Sequence, residues 1–347
     1  MLSTWKLARW LGPWADSTKA PSVAIADDDV DGMRVRIFYP GGVARGARAG
    51  TARRTFLIAP GLHYAGADDP RMDRFCRILA NAGHLVVAPY IPDFLALRPS
   101  ERAKHDFARA FDALPRWSQQ KPVVFSISFG SLLAFSLAAE RGAAVERLVI
   151  FGGYASLHET LKFSLTGEVS GGRQATRDPL NQSVVLMNLL HLIECADREA
   201  VSAGWRRYVE LTWGRPELKA RERFVALANE LAPGVPASVR DLFLVGIGVL
   251  PGAEALAMSA LARFDGRALD PTPYLARVTG RVDLVHGVGD DVIPFEHSHQ
   301  LAAAMPSADV RVHLTGMYGH TGSSRPPLAT AAKELVTMAR VLRLLAG

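Results

Sequence analysis

The feature that most constrains this chain is a rhythm: short, continuously apolar runs alternate with longer stretches of helical periodicity. Residues 23–26 and Met33–Tyr39 read as strands, the second with period-two alternation. Thr55–Ala59 is an apolar run stopped by Pro60-Gly61, and 84–88 is another, closed by Pro89. Between them, residues 73–82 place Phe75, Ile78 and Leu79 on one helical face. A helix over 101–114, a strand over Pro122–Ile127, a helix over 130–140 and a strand over Arg147–Phe151 continue the pattern. Strands that are apolar on both faces and alternate with helices imply βαβ units, hence a parallel sheet covered on both sides.

From 155 to 275 the rhythm stops. No buried strand is evident, and helical stretches over 183–195, 198–211, 217–231 and 236–250 are punctuated by glycine and proline. At Val282 it resumes, with a strand over 282–286, a helix over 295–304, a strand over 310–314 and a C-terminal helix over 327–345. A structureless insertion of that length is improbable in a compact domain. The economical division is a first core segment 1–154, a helical cap or lid 155–275, and a second core segment 276–347. The Gly/Ala/Arg-rich stretch 41–54 reads as a surface loop.

Composition narrows the partners. The 347 residues are 49% apolar and 21% charged, as in ordinary globular proteins, which excludes disorder, collagen and coiled coil as the main class. The net charge of +6 comes from 33 arginines and 7 lysines scattered among acids, with no basic run beyond Arg53-Arg54 and Arg206-Arg207. A nucleic-acid binder gathers such charge on one patch, so no nucleic-acid partner is expected. The most apolar stretch, 242–250, is far short of a membrane span. The N-terminus, with three tryptophans cut short by Gly12-Pro13, makes a poor signal peptide; packing on the body of the protein is expected, and membrane contact is at most peripheral. Cys76 and Cys195 form no motif and read as two buried reduced thiols, compatible with a cytoplasmic location. No cofactor or metal is called for: His63 and Asp68-Asp69 lack metal-ligand spacing. The sequence leaves the oligomeric state open.

Three segments that carry chemistry fall at carboxyl ends of strands, where open α/β sheets place their sites. Ser126-Ile127-Ser128-Phe129-Gly130 joins a strand to a helix, so Ser128 would project from a sharp turn with small residues on either side. His286-Gly287-Val288-Gly289-Asp290-Asp291 follows another strand; Asp290 is the preferred orienting carboxylate, with Asp291 the near alternative and an Asx turn or helix cap the bland reading. Gly316-Met317-Tyr318-Gly319-His320-Thr321-Gly322 follows the last strand, and a histidine in a glycine-flanked loop can swing over the serine as a general base.

In the order Ser128, Asp290, His320, these segments resemble the α/β-hydrolase superfamily over about 22–154 and 276–345. The resemblance implies a mostly parallel eight-stranded sheet with an inserted cap, and a Ser-Asp-His triad. It also implies an oxyanion hole whose amides carry over to Leu62, in the Pro60-Gly61-Leu62-His63 loop, and to Phe129. Two departures stand out: Ser126 replaces the first glycine of G-x-S-x-G, and Pro60 stands where histidine is common. The expected activity is that of a carboxylesterase or lipase-like serine hydrolase on a small-molecule ester. Cap stretches 184–192 and 242–250 either line an acyl tunnel of few charges or form the cap's own core. Acyl transfer by the same residues and a non-catalytic binding role are the alternatives; a peptidase is weaker, because no β-rich domain precedes the core.

Overall fold

The computed structural model describes residues 2–12, 15–43, 51–316, 318–319, 322–323 and 331–346. Helix α1 (Leu2–Leu11) is followed by strands β1 (Ala24–Val30), β2 (Met33–Tyr39) and β3 (Thr55–Ala59). Then come α2 (Pro70–Asn81), β4 (Leu85–Pro89), the short α3 (Pro92–Leu95), α4 (Arg102–Asp112), β5 (Pro122–Ile127), α5 (Gly130–Arg141) and β6 (Arg147–Phe151). After β6 the chain is helical: α6 (Leu157–Thr166), α7 (Gln182–Leu189), α8 (Arg198–Thr212), α9 (Arg221–Leu231), α10 (Ala237–Ile247), α11 (Ala253–Leu261) and α12 (Thr272–Leu275). Strand β7 (Gly280–Gly287), α13 (Glu296–Ala303), β8 (Ala308–Thr315), the two-residue strands β9 (Tyr318–Gly319) and β10 (Gly322–Ser323), and α14 (Ala331–Ala346) complete it.

Eight strands form one sheet in the order β1-β2-β4-β3-β5-β6-β7-β8. Strand β2 runs antiparallel to β1 and β4, and all pairs from β4 to β8 are parallel. Side chains alternate between two cores, as strand geometry requires. Leu57, Val124 and Ile150 pack with Phe107 of α4, Leu133 of α5 and Leu301 of α13. Phe56, Ile58, Val123 and Phe125 pack on the other face with Leu7 of α1, Leu79 of α2 and Leu342 of α14. The helices between β6 and β7 have their own apolar cluster around Trp205, Phe243 and Ala257, which also reaches Leu132 of α5 and Ile293.

Local signals set several boundaries. Asp69 caps α2 by accepting the Arg71 and Met72 amides, and Pro70 sits at the first helical position. Thus α2 begins three residues before the periodicity at Asp73 suggested. Strand β1 extends beyond the expected 23–26 to Val30 because its exposed acids face arginines across the hairpin: Asp27 pairs with Arg34 and Arg36 of β2. Helices α6 and α11 lay outside the sequence reading. Of the two thiols expected to be buried, Cys76 is and Cys195 is only half-buried; neither is in a disulfide. The N-terminal segment packs as α1 against α2 and α14. Among the described residues, no helix is long and apolar enough to cross a membrane.

Candidate active site

Strand β5 ends inside the sheet, with Ser126 opposite Ala59 on one side and Ile150 on the other. The chain then turns abruptly into α5. Ser128 takes φ +54°, one of three non-glycine residues with positive φ among those described. That left-handed conformation costs a serine on the order of 1–2 kcal/mol. Its N–H donates to the Phe151 carbonyl at the end of β6 (2.9 Å), and its carbonyl accepts from Ser131 (3.0 Å). Gly130 is required by close approach: a Cβ there would lie 2.2 Å from the Ala59 carbonyl oxygen and 2.6 Å from that of Pro60. The start of α5 is thereby pressed against the end of β3. Ser126, in the place of the usual glycine, is fully buried and its hydroxyl has no hydrogen-bond partner.

The same contact brings the loop after β3 to the serine. An ideal Cβ on Gly61 would sit 3.5 Å from Ser128 Cβ. Neither the Leu62 N–H nor the Phe129 N–H donates to any described residue. Two amides with no acceptor among the described residues, beside one strained serine, leave room for an oxygen acceptor, and α5 points its N-terminus at the same place.

His63, next in the loop, accepts the Ala65 amide at Nδ1 (3.2 Å), so its proton is on Nε2, 3.3 Å from Asp69 Oδ2. Burial lowers its pKa to about 4 against the opposing pull of Asp69. It is therefore neutral near pH 7, stacked on Tyr64 and tilted against Trp213.

At the end of β7 the structure distinguishes the two candidate acids by their partners. Asp290 is 7% exposed; its Oδ1 accepts the amides of Val292 (2.9 Å) and Ile293 (2.8 Å), and Oδ2 lies 3.4 Å from His286 Nε2. His286 Nε2 also meets the Ile293 carbonyl at 2.9 Å, so it carries the proton, and Nδ1 accepts from the Ser298 hydroxyl at 2.7 Å. His286 is thus a brace for this turn. Asp291 points the other way, to Lys219, which also holds Asp178 at 2.8 Å; the Asp178 amide donates to the Asp291 carbonyl at 2.8 Å. Burial alone would lower the Lys219 pKa, but the two carboxylates outweigh it and raise the pKa. Lys219 lay outside the sequence reading. No signal in the sequence marks it, because the two carboxylates that it meets lie 41 and 72 positions away in the chain.

The third triad candidate, His320, lies outside the described residues, as do Met317 and Thr321. On either side of it, Tyr318–Gly319 and Gly322–Ser323 pair antiparallel, and the first of these strands lies against β7.

Above the sheet edge is a cavity of about 1400 Å³ lined by Gly61, Leu62, Ser128 and Phe129 below, and by Leu161, Val184, Val185 and Met187 above. Of the two expected tunnel stretches, 184–192 contributes to this lining. The other, 242–250, does not; Phe243 and Ile247 are buried in the core of the helical block. The cavity is also more charged than expected, because the loop after β4 and helix α8 supply arginines. Among the described residues, no group of three metal-ligating side chains occurs.

The strand order, the single antiparallel β2 and the serine turn after β5 define the architecture. The fold is that of the α/β-hydrolases. No protein-family model matches the chain, and no curated protein sequence matches it. Among solved structures, an acylaminoacyl peptidase of Pyrococcus horikoshii aligns over 94% of this chain and 41% of its own, at 11% identity and TM-score 0.46. This chain therefore spans about two-fifths of that protein's length. A serine hydrolase of Cycloclasticus zankles aligns over 93% of this chain and 98% of its own, at 12% identity and TM-score 0.44. A deformylase of Pseudomonas putida aligns over 86% and 94%, at 16% identity and TM-score 0.42. Identities this low speak to fold alone.

Proposed function

We propose that this protein is a serine hydrolase that cleaves carboxylic esters through an acyl-enzyme on Ser128. The observation that carries the reading is the left-handed Ser128 on the β5–α5 turn, lining a cavity beside two amides that donate to no described residue. A strained conformation retained at a cavity wall is characteristic of functional sites.

In this reading His320 takes the Ser128 proton as the hydroxyl attacks the ester carbonyl. The Leu62 and Phe129 amides receive the oxyanion, and Asp290 orients and stabilises the imidazolium. His320 then gives the proton to the departing alkoxide. Water, activated by the same histidine, releases the acid and restores the serine. Residues 155–275 act as a cap that shapes the substrate cavity. The apolar lower and upper walls near Ser128 suit an acyl chain, and the ester is chosen over the amide as the more readily cleaved acyl derivative.

The test is labelling with a fluorophosphonate, located by peptide mass spectrometry, together with matched 4-nitrophenyl esters and 4-nitroanilides. An adduct on Ser128, absent from Ser128→Ala, and faster turnover of the esters are expected. Loss of Ser128 should lower kcat by roughly 10⁶. A folded protein that neither labels nor turns over any ester would favour a binding role. Transfer to an added alcohol in excess of hydrolysis would favour an acyltransferase.

A further inference from the structure

The cavity carries a feature that hydrolysis of a plain apolar ester does not use. Its described lining holds seven arginine and lysine side chains against four aspartates and glutamates. Most of the acids are already engaged: Asp69 with Arg71, Asp178 with Lys219, and Asp93 with the Ser100 hydroxyl. Glu199, exposed at the rim, is the exception. The residues outside the description include no aspartate or glutamate that could neutralise the excess.

Among these cations Arg98 stands out by its backbone, although Arg215 likewise makes no side-chain hydrogen bond or ion pair with a described residue. The residue before it, Leu97, is fully buried and held at φ +60°, a conformation unfavourable for leucine. Three hydrogen bonds hold the bend. The Leu97 amide donates to Phe94 (3.1 Å), the Arg98 amide to Asp93 (2.9 Å), and Asn188 Nδ2 of α7 donates to the Leu97 carbonyl (3.0 Å). The consequence is an exposed Arg98 guanidinium on the cavity wall that makes no hydrogen bond or ion pair with any described residue. Arg198 lines the same cavity and, among the described residues, its side chain bonds only the Ile193 carbonyl. Backbone strain of this kind persists where the surroundings over-determine it, and it clusters at ligand clamps. A planar fork of donors suits a carboxylate.

We infer that the cavity takes an amphiphilic ester whose end remote from the scissile bond carries a carboxylate, and that Arg98 binds that carboxylate. The inference rests on Ser128 as the nucleophile and names the substrate class of that same site. The apolar wall holds the intervening chain and the cationic rim raises the local concentration of anionic substrate.

The experiment compares 4-nitrophenyl octanoate with the mono-4-nitrophenyl ester of suberic acid, which differs in carrying a terminal carboxylate, on wild type, Arg98→Gln and Ser128→Ala. Wild type should favour the carboxylated ester, and the preference should shrink with rising salt. Arg98→Gln should raise KM for the carboxylated ester about ten-fold. It should leave kcat, and both constants for octanoate, unchanged; Arg98→Lys should restore part of the difference. An equal or reversed preference in wild type, unchanged by Arg98→Gln, overturns the inference while leaving the nucleophile intact. Activity surviving in Ser128→Ala overturns the reading of the site instead. If neither ester is turned over, calorimetry with suberate on Ser128→Ala decides: binding that weakens in the Arg98→Gln background supports the carboxylate site, and no binding overturns it.

Discussion

Lys219, from the helices between β6 and β7, forms an ion pair with Asp291, the neighbour of Asp290 on the turn after β7. The ammonium is shared with Asp178, so one cation ties the helical block to the turn that carries the candidate acid. Removing one partner of a largely buried pair leaves a charge without compensation. Lys219→Met should therefore destabilise by about 2–4 kcal/mol, discounted from a fully buried pair because a quarter of the lysine side chain is exposed. Urea unfolding reads this directly. Lys219→Met with Asp291→Asn should recover part of the loss; a double variant no more stable than the single would show that the pair is not the source.

The serine turn allows activity and stability to be moved in opposite directions. Ser128→Gly removes the left-handed penalty and should be more stable than wild type by about 1 kcal/mol, though inactive. Ser128→Ala keeps the penalty and should match wild type in the urea midpoint. Equal midpoints for the glycine and alanine variants would mean that the turn is not strained.

Ser126 buries a hydroxyl without a partner. Replacing it by alanine removes a desolvated polar atom while keeping the Cβ, and should stabilise by about 1 kcal/mol. A lower thermal midpoint for Ser126→Ala would show that this hydroxyl is satisfied in solution.

Three histidines give the stability a pH dependence of fixed sign. Burial lowers the pKa values of His63, His84 and His297 to about 4, from 6.5. Between those values the unfolded chain binds more protons than the folded one, so stability is full above pH 6.5 and falls as pH drops toward 4. Each contributes up to about 3 kcal/mol across that window. His297 accepts the Ala155 amide at Nδ1, so His297→Asn should flatten the slope of unfolding free energy against pH, at some cost in stability at pH 7. An unchanged slope would place the acid sensitivity elsewhere.

How far the sequence could be read follows from burial. Strands β3 to β6 stand in the centre of a parallel sheet, so Thr55–Ala59 and Arg147–Phe151 declare themselves as continuous apolar runs. Helix α6 did not declare itself by periodicity because Leu157, Leu161, Phe163 and Leu165 are buried around most of its circumference. Its caps, Ser156 bonding the Glu159 amide and Gly167 in the left-handed region, were the available signal. Helix α11 turns mainly alanines inward, Ala253, Ala257 and Ala260, which make a weak apolar stripe. Ser128 was legible because the turn needs small neighbours. Asp290 and Asp291 were not separable, because what distinguishes them is a lysine some seventy positions away in the chain. Arg98 was illegible for a related reason: its exposure depends on a backbone bend fixed by Asn188 from another part of the fold.

Strands β6 and β7 are hydrogen-bonded neighbours although residues 152–279 separate them. Pairings between distant parts of a chain must meet the entropy of closing the loop before any contact rewards it. Strands β2 to β6 need no such closure and can condense as soon as they are synthesised. The turn bearing Asp290 joins only when β7 docks, after the helical block has been made. On the proposed reading of Asp290, a newly made chain would hold its serine turn before it holds the carboxylate assigned to orient the base, and activity would wait for β7 to dock.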